Sequence, residues 1–214
     1  MAAKRAPSVA KRRYTSTRRA LQADRTRADV VQAAVTLFGG RGWAGTTLAA
    51  VAEEAGVAVE TVYKGFGSKK ALLRAAMDAA IVGDAEPVPF ADRPEFAALG
   101  EGAVEERIAR AVSLAATIHE RSAGTWLAVV EAAGSDPELD SWRLEMEQRR
   151  RLDVKRSVER VVERSLDDQV TTALWILFGP ETYLKLVVDS GYSLEEYEAF
   201  LRDAAQRFMP PTGA

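Results

Sequence analysis

The stretch Gly56–Lys70, GVAVETVYKGFGSKK, allows two opposed interpretations. Its glycines, Gly65 and Gly67, are followed by Ser68-Lys69, as in a loop that cradles a nucleotide phosphate. The same residues would also suit a joint between two helices, because glycine readily adopts the conformations that end a helix. A nucleotide-binding loop follows a β-strand within a β-α-β unit, whereas helical patterns flank this stretch. The sequence therefore favours the joint.

Helical periodicity precedes the stretch. A first helix is predicted from about residue 24 to a stop at Gly39-Gly40, and its apolar face consists of Val30, Ala34, Leu37 and Phe38. A second helix is predicted to begin after an N-cap at Thr46 or Thr47 and to end near Ala55. Two short helices in this order indicate a small helical domain.

Two more short helices complete the pattern. A third helix covers about 59–64, and Ser68 caps a fourth that reaches about Ile81. With a tight turn at Gly56, the first three helices form a helix-turn-helix pattern. In that motif the last helix fits the DNA major groove, and helix N-termini suit phosphate.

Beyond residue 82 the sequence predicts further helices. Residues 83–100 contain several prolines, which indicate an irregular connection. The predicted helices lie at about 102–121, 125–134, 137–164, 168–178, 180–189 and 193–208, with Gly124 separating the first two. Their start signals include the N-caps Asp136, Asp167 or Asp168, and Ser193 in a capping box with Glu196. Since no β-alternation occurs, the predicted fold class is all-α: an N-terminal three-helix helix-turn-helix domain and a C-terminal helical domain.

The composition limits the classes of function. The 214 residues are 47% apolar, enough for a substantial core, and contain no apolar run that predicts a membrane span. The absence of cysteine excludes disulfides and cysteine-ligated metal sites. The basic N-terminus is not followed by the apolar segment of a secretory signal. We therefore expect a cytoplasmic protein without a cofactor or a metal ion.

The charges are divided unevenly along the chain. Residues 1–80 hold 14 basic and 6 acidic residues, a net charge of +8, whereas residues 81–214 hold 15 basic and 25 acidic residues, a net charge of −10. A basic front suggests a polyanionic partner. It is equally consistent with a solvated tail, since residues 1–22 are interpreted as a basic flexible arm. We hypothesise that this arm follows the DNA minor groove or adds nonspecific affinity through Arg12, Arg13, Arg18 and Arg19.

The residues around the opening stretch carry a family resemblance. GTTLAAVAEEAGVAVETVYKGFGSKKALL (45–73) resembles the N-terminal domain of the TetR family of bacterial transcriptional regulators. The family pattern Gly-Val-Ser-x-x-Thr-aliphatic-Tyr-x-His/Tyr-Phe-x-Ser/Asn-Lys-x-x-Leu is matched at Gly56, Val57, Thr61, Val62, Tyr63, Phe66, Ser68, Lys69 and Leu72. Residues 173–201 are similar to the C-terminal end of many members, while 83–165 match only in helical character and length.

The resemblance implies a division of the chain and a function. The arm (1–22) would precede a DNA-binding domain (23–68), a connecting helix (69–82) and an effector-binding and dimerisation domain (83–214). The protein would be a repressor that binds a palindromic operator as a homodimer and is released by a small-molecule effector. Its partners would therefore be double-stranded DNA, an unidentified effector and a second copy of the chain, with no membrane.

The resemblance also implies roles for single residues. Val62 and Phe66 would be core, and the Tyr63 hydroxyl would contact phosphate. The full set expected at DNA is Trp43, Thr46, Thr47, Val59, Glu60, Thr61, Tyr63, Lys64, Ser68 and Lys69. Plain packing for Tyr63 and a solvated charge for Lys64 remain the alternatives.

Three departures from the family pattern weaken the predicted DNA contacts. Ala58 replaces the usual serine, so the third helix loses a capping hydrogen bond. Gly65 stands where a histidine or tyrosine often contacts DNA, and Ala49 stands where a basic residue is common. Some specificity would then move to Val59, Lys64 or the arm.

The C-terminal domain would hold the effector and the dimer interface. The residues expected at the effector are His119, Trp126, Trp142, Met146 and Trp175, although each is also typical of a core. The residues expected at the dimer interface are Leu174, Leu177, Leu201 and Phe208, with intramolecular packing as the alternative. The tryptophans suggest an apolar or aromatic ligand.

Two other classes of function remain for comparison. An enzyme is disfavoured because the chain has no Gly-x-Ser-x-Gly motif, no cysteine and a single histidine without an evident partner. An all-α binding or scaffold protein with a degenerate DNA-binding domain stays open, because Ala58 and Gly65 depart from the family pattern.

Overall fold

A computed structural model describes residues 9–84, 88 and 92–208, with side chains from residue 21 onward. Within these ranges the chain is helical and contains no strand. The N-terminal unit (residues 21–82) contains the described side chains of α1 and all of α2 to α4. The helices run as α1 Val9–Arg41, α2 Leu48–Glu54, α3 Val59–Phe66 and α4 Lys69–Val82.

The remaining helices form the body (residues 92–208). A short helix, α5 (Pro94–Ala97), continues into a 3-10 turn at Ala98–Gly100. The other helices are α6 Val104–Ala133, α7 Pro137–Val162, α8 Asp168–Leu177, α9 Pro180–Tyr183 and α10 Leu194–Phe208. A π-helical segment, Leu184–Asp189, follows α9. None of the described helices combines the length and apolar character that crossing a bilayer requires.

Several predicted caps are confirmed by hydrogen bonds. The side chains of Thr47 and Ser68 accept from the backbone N–H three residues ahead, at the starts of α2 and α4. Asp136 and Asp167 do the same for α7 and α8. The capping box at Ser193 is closed in both directions by Glu196. These starts were predictable because an N-cap oxygen satisfies amides that the helix itself leaves free.

The first helix is longer than predicted at both ends. It begins at Val9, so residues 9–22 are helical and not an irregular arm, while residues 1–8 lie outside the described part. Alanine, arginine, lysine and glutamine favour helix even without an apolar stripe. Gly39-Gly40 does not stop the helix, which ends at Arg41 before Gly42 with φ +69°.

The predicted break at Gly124 is wrong, because α6 is one continuous helix. Gly124 faces Gly39 of α1, and a Cβ atom on Gly124 would lie 2.7 Å from the Gly39 carbonyl oxygen. The two glycines therefore let α1 and α6 approach more closely than larger residues would allow. This contact offsets the preference of glycine for irregular structure.

The irregular connection is confirmed only in part. Residues 94–100 form α5 and the 3-10 turn, with Pro94 at the first helical position. Pro87 and Pro89 lie outside the described residues. Phe96 and Leu99 anchor this segment in the core of the body.

Two apolar cores organise the molecule. The first contains side chains of α1 to α4 and also residues of α6 and α7, among them Trp126, Val129, Leu139 and Trp142. The second lies within the body and joins α6 to α8 and α10 through Val112, Leu174, Tyr197 and Leu201. Because the first core includes α6 and α7, the N-terminal unit packs directly on the body.

Candidate DNA-binding surface and ligand cavity

The third helix presents its polar side chains to solvent. Val62 is fully buried in the first core, and Val59 and Phe66 pack partly against it. The neighbouring side chains Glu60, Thr61, Tyr63 and Lys64 are exposed, Tyr63 by 55%. An exposed polar face on a short helix after a turn matches the geometry of a helix that enters a DNA groove.

The predicted set around this helix divides into outward and inward residues. Thr47 and Ser68 are exposed at the starts of α2 and α4. Thr46 is completely buried, and its hydroxyl hydrogen-bonds the backbone carbonyls of Leu37 and Gly42 at 3.1 and 2.8 Å. The prediction that Thr46 contacts DNA is therefore wrong, since its hydroxyl is used to fix the loop after α1.

Lys69 and Trp43 also turn inward. The Lys69 ammonium donates to the Trp43 carbonyl and lies 4.1 Å from the centre of its ring. Trp43 in turn stacks on Phe38, with ring centres 6.1 Å apart. Burial lowers the pKa of Lys69, and the nearby Glu131 carboxylate partly offsets this effect. Lys69 therefore stabilises the α1–α2 loop (residues 42–47), in contrast to the predicted outward orientation toward phosphate.

Gly65 leaves open space at the end of α3. Among the described residues, nothing beyond its chain neighbours and the backbone of its own helix would lie within 4 Å of a Cβ atom there. The Gly65 carbonyl accepts a hydrogen bond of 3.1 Å from Arg27 Nη1. The Arg27 guanidinium also stacks over Phe66, 4.3 Å from the ring centre. Sequence reasoning missed Arg27, because nothing in the periodicity of α1 shows that its side chain reaches α3.

A cavity of about 1360 Å³ lies beside the contact between α4, α6 and α7. Three of the residues expected at the effector line it: His119, Trp126 and Met146. Trp142 instead packs in the first core, with the Arg74 guanidinium over its ring. Trp175 does not line the cavity either, and its indole N–H donates to the Glu147 carboxylate at 3.1 Å. The structure therefore separates the predicted set into cavity residues and packing residues.

His119 is the most buried titratable group of the cavity wall. Its Nδ1 lies 2.8 Å from the Tyr197 hydroxyl, and the rings of Tyr183 and Tyr197 surround it. Burial, assisted by the positive charge of Arg150, lowers the pKa of His119 to about 4, while a hydrogen bond to the Phe178 backbone acts in the opposite direction. Its ring is therefore uncharged at neutral pH and offers hydrogen bonds without a charge.

Charged residues of the cavity wall were missing from the predicted set. They include Asp78 on α4 and Glu147, Arg149, Arg150 and Asp153 on α7, while Asp24, Arg25 and Arg27 of α1 and Asp84 also line the cavity. Burial raises the pKa of both Asp78 and Asp153, and Arg149 opposes this shift in each case. Such residues resemble any solvated helix face in the sequence, so only their position around the cavity in the folded chain reveals them.

Two of the four predicted dimer residues are buried within the chain. Leu174 and Leu201 have no exposed surface, because both lie in the second core, and Leu177 is partly buried. Leu174 and Leu201 therefore cannot meet a second copy without rearrangement. Phe208 is 40% exposed, and other large apolar side chains lie open on the same helices: Ile176 on α8 and Phe200 on α10.

The comparison with known families agrees with this geometry. Residues 30–76 match the family described as bacterial regulatory proteins, tetR family. These residues belong to the TetR family. The matched range contains most of α1, the whole of α2 and α3 and about half of α4, and therefore the exposed face of α3. Outside this range the likeness to TetR-type regulators is one of fold. No curated protein shows a significant match to the chain.

Several solved structures resemble the fold of this chain over most of its length. A TetR-family regulator from Rhodococcus sp. has 18% identity and a TM-score of 0.67, covering 86% of this chain and 98% of its own. One from Mesorhizobium loti has 19% identity and a TM-score of 0.63, covering 87% and 96%. The multidrug binding protein EbrR, solved with imidazole, has 18% identity and a TM-score of 0.55, covering 87% and 90%. At these identities the likeness concerns the fold.

Proposed function

We propose that the protein is a ligand-responsive repressor of the cytoplasm that binds a palindromic operator as a homodimer. Residues 23–68 would read DNA, the helix over 69–82 would connect, and 83–214 would bind the effector and the second copy. The observation that carries the proposal is the exposed polar face of α3 next to its fully buried Val62. A helix anchored on one side and polar on the other is suited to insertion into the major groove.

The proposed DNA contacts follow from exposure. Glu60, Thr61 and Lys64 would face base edges, while the Tyr63 hydroxyl and the N-cap residues Thr47 and Ser68 would meet phosphate. Val59 would contribute only through its exposed part, since it packs partly against the first core. Arg12, Arg13, Arg18 and Arg19 would add affinity from the N-terminal part of α1.

The proposed effector site is the cavity. Its volume of about 1360 Å³ exceeds the ~300–1,000 Å³ common for small-molecule pockets. His119, Trp126 and Met146 would contact the ligand, and the likeness in fold to EbrR, a multidrug binding protein, supports a small-molecule site of this kind. Ligand binding would release DNA if it favours a spacing of the two α3 helices that no longer fits the operator.

The proposed dimer would use the exposed apolar residues of α8 and α10. Ile176 of α8 is 57% exposed, and Phe200 and Phe208 of α10 are also open to solvent. Dimerisation is supported by the short length of α3, which has eight residues and reaches only one half-site. Helix-turn-helix proteins bind two half-sites about one DNA turn apart as two-fold dimers.

A selection experiment tests the proposal. The wild-type chain is used to enrich duplexes from random-sequence DNA, and the enriched duplex then serves in anisotropy titrations with Lys64→Ala and Tyr63→Phe. We expect a palindromic enriched sequence and a loss of about 1–3 kcal/mol for Lys64→Ala at a base contact. Tyr63→Phe should weaken enriched and unrelated duplexes alike, because a phosphate contact carries no sequence information.

The matched control is Lys185→Ala, an exposed lysine of the body that pairs with Asp189, four residues ahead on the same segment. It should leave DNA affinity unchanged. Sedimentation of the same preparations gives the oligomeric state. A folded dimer that enriches no duplex at low salt would contradict the proposal and favour the scaffold alternative, for which the departures at Ala58 and Gly65 would then be the reason.

A further inference from the structure

The α1–α2 loop is held by a carboxylate of the body. Glu131, near the end of α6, accepts hydrogen bonds from the backbone N–H groups of Trp43 at 2.7 Å and Ala44 at 3.1 Å. Each carboxylate oxygen takes one amide, which is the geometry of a charge-assisted pair of hydrogen bonds. A body helix therefore contacts the backbone of the N-terminal unit directly, without passing through α4.

Two further observations show how closely the loop and the carboxylate fit. Gly42 has φ +69°, and a Cβ atom there would lie 2.6 Å from Glu131 Oε2, so a side chain at this position would displace the carboxylate. On the opposite side, the Lys69 ammonium holds the Trp43 carbonyl. The Trp43 backbone is thus hydrogen-bonded at its N–H by Glu131 of α6 and at its carbonyl by Lys69 of α4.

The same helix lines the cavity. His119, Ser122 and Trp126 of α6 face it, and Glu131 follows Trp126 by five residues, about 8 Å along a helix. Farther back on α6, Arg121 Nε donates to the Ala80 carbonyl at 2.7 Å, at the end of α4. One continuous helix therefore carries the cavity residues Ser122 and Trp126 between a contact to α4 and a contact to the loop that precedes α2.

We propose that Glu131 is a positioning residue for DNA binding: by clamping the α1–α2 loop to α6, it fixes where α2 and α3 stand relative to the cavity helix. The proposal rests on the proposed function for its effect on DNA. It assigns to Glu131 no contact with DNA and no contact with ligand. A displacement of α6 at the cavity would then reach the loop through this carboxylate as well as through α4.

The experiment compares the full-length wild type with Glu131→Ala and Glu131→Gln. Backbone amide exchange at Trp43 and Ala44 is measured by NMR, and affinity is measured for the duplex enriched by the wild type and for an unrelated duplex. In Glu131→Ala we expect faster exchange at both amides and roughly tenfold weaker binding of the enriched duplex. Affinity for the unrelated duplex and the urea midpoint should change little, because phosphate contacts and the core remain. Glu131→Gln, which keeps one acceptor oxygen, should lie between.

The matched control is Glu120→Ala, an exposed carboxylate of the same helix without a hydrogen bond or ion pair to a described residue. It should match the wild type in exchange and in both affinities. Equal exchange rates in wild type and Glu131→Ala would overturn the clamp, and faster exchange with unchanged affinity for the enriched duplex would overturn its positioning role. If the wild type enriches no duplex, the proposed function fails, whereas the exchange rates still decide the clamp: faster exchange supports it and equal rates overturn it.

Discussion

In the N-terminal unit, apolar side chains from four helices meet one another with almost no exposed surface. Phe38, Val51, Val62, Leu72 and Leu73 all have 0% exposure. In the body, α6 and α7 border a cavity of about 1360 Å³ whose wall is completed by residues of α1 and α4, so that Leu114 and Ile118 of α6 face space as well as protein. The two regions differ in what their packing is for. A helix that is to bind DNA must be held in one position, whereas the wall of a binding cavity must leave space for a ligand.

The largest effect should come from the same substitution made in each region. Leu73→Ala removes a fully buried side chain of α4, so we expect the free energy of unfolding to fall by about 2–5 kcal/mol. Leu114→Ala removes a half-buried side chain that lines the cavity. We expect the free energy of unfolding to fall by only about 1 kcal/mol, because the Leu114 side chain makes fewer contacts with protein atoms than that of Leu73. Urea unfolding of both variants measures the difference.

Equal losses in the two variants would contradict the contrast between a filled core and an open wall. A ligand that occupies the cavity in the purified protein would also reduce the contrast, since the Leu114 side chain would then pack against it. Mass spectrometry of the preparation under native conditions, before and after ligand extraction by partial unfolding, separates these two results.

The second effect concerns the charge state of the cavity wall. The His119 pKa is lowered from 6.5 to about 4 in the folded chain. As the pH falls from about 6.5 to about 4, the unfolded chain binds a proton at His119 that the folded chain does not, so the free energy of unfolding should decrease. A shift of this size corresponds to roughly 3 kcal/mol across the window. In His119→Gln this contribution is absent, while a hydrogen bond to Tyr197 remains possible.

Urea unfolding of wild type and His119→Gln at several pH values between 4 and 7 checks this expectation. The difference between the two curves isolates His119, because Asp78 and Asp153 are present in both proteins. Their raised pKa values act with the opposite sign, since the folded state then holds protons that the unfolded state has released. Parallel curves would show that His119 titrates alike in both states.

The comparison of the two regions also explains what the sequence could and could not predict. Val62 inward and Tyr63 outward followed from a helical pattern and a family motif. The sequence did not decide whether Thr46 or Thr47 caps α2, because adjacent threonines are equally suited as caps. Only the geometry of the loop shows that Thr46 is buried and that Thr47 is the cap. Gly124 was predicted to end a helix, since nothing in its neighbourhood announces that Gly39 lies against it. Motifs describe local geometry well, whereas a contact between two helices that are distant in the chain cannot be inferred from the sequence of either helix.

The cavity residues show the same limit. His119, Trp126 and Met146 were predicted because large or polar side chains on apolar faces are conspicuous, and the same rule selected Trp142 and Trp175, which pack elsewhere. Asp78 and Asp153 were missed because a carboxylate on a helix is ordinary in the sequence, which does not show that the residue borders a cavity. The dimer prediction failed at Leu174 and Leu201 for a related reason, since an apolar stripe cannot state whether its partner is in the same chain.

The smallest effect tests how the N-terminal unit holds α3. The helices on either side are capped by Thr47 and Ser68, but α3 begins at Ala58 without a side-chain cap. Ala58 has φ −69° and ψ 144°, which is the backbone geometry of an N-cap residue, so serine fits there without strain. Ala58→Ser should therefore raise the free energy of unfolding by about 0.5–2 kcal/mol, measured in urea.

The control for this variant is Ala49→Ser, at an exposed position within α2 where serine completes no cap and should cost a few tenths of a kcal/mol. An Ala58→Ser protein no more stable than the wild type would mean that α3 is fixed by Val62 and Phe66 alone and that its first turn contributes nothing. A gain in stability accompanied by tighter binding of the enriched duplex would mean that the uncapped turn frays in the free protein. The firmly packed N-terminal unit would then contain one loose element, the first turn of the helix proposed to enter the groove.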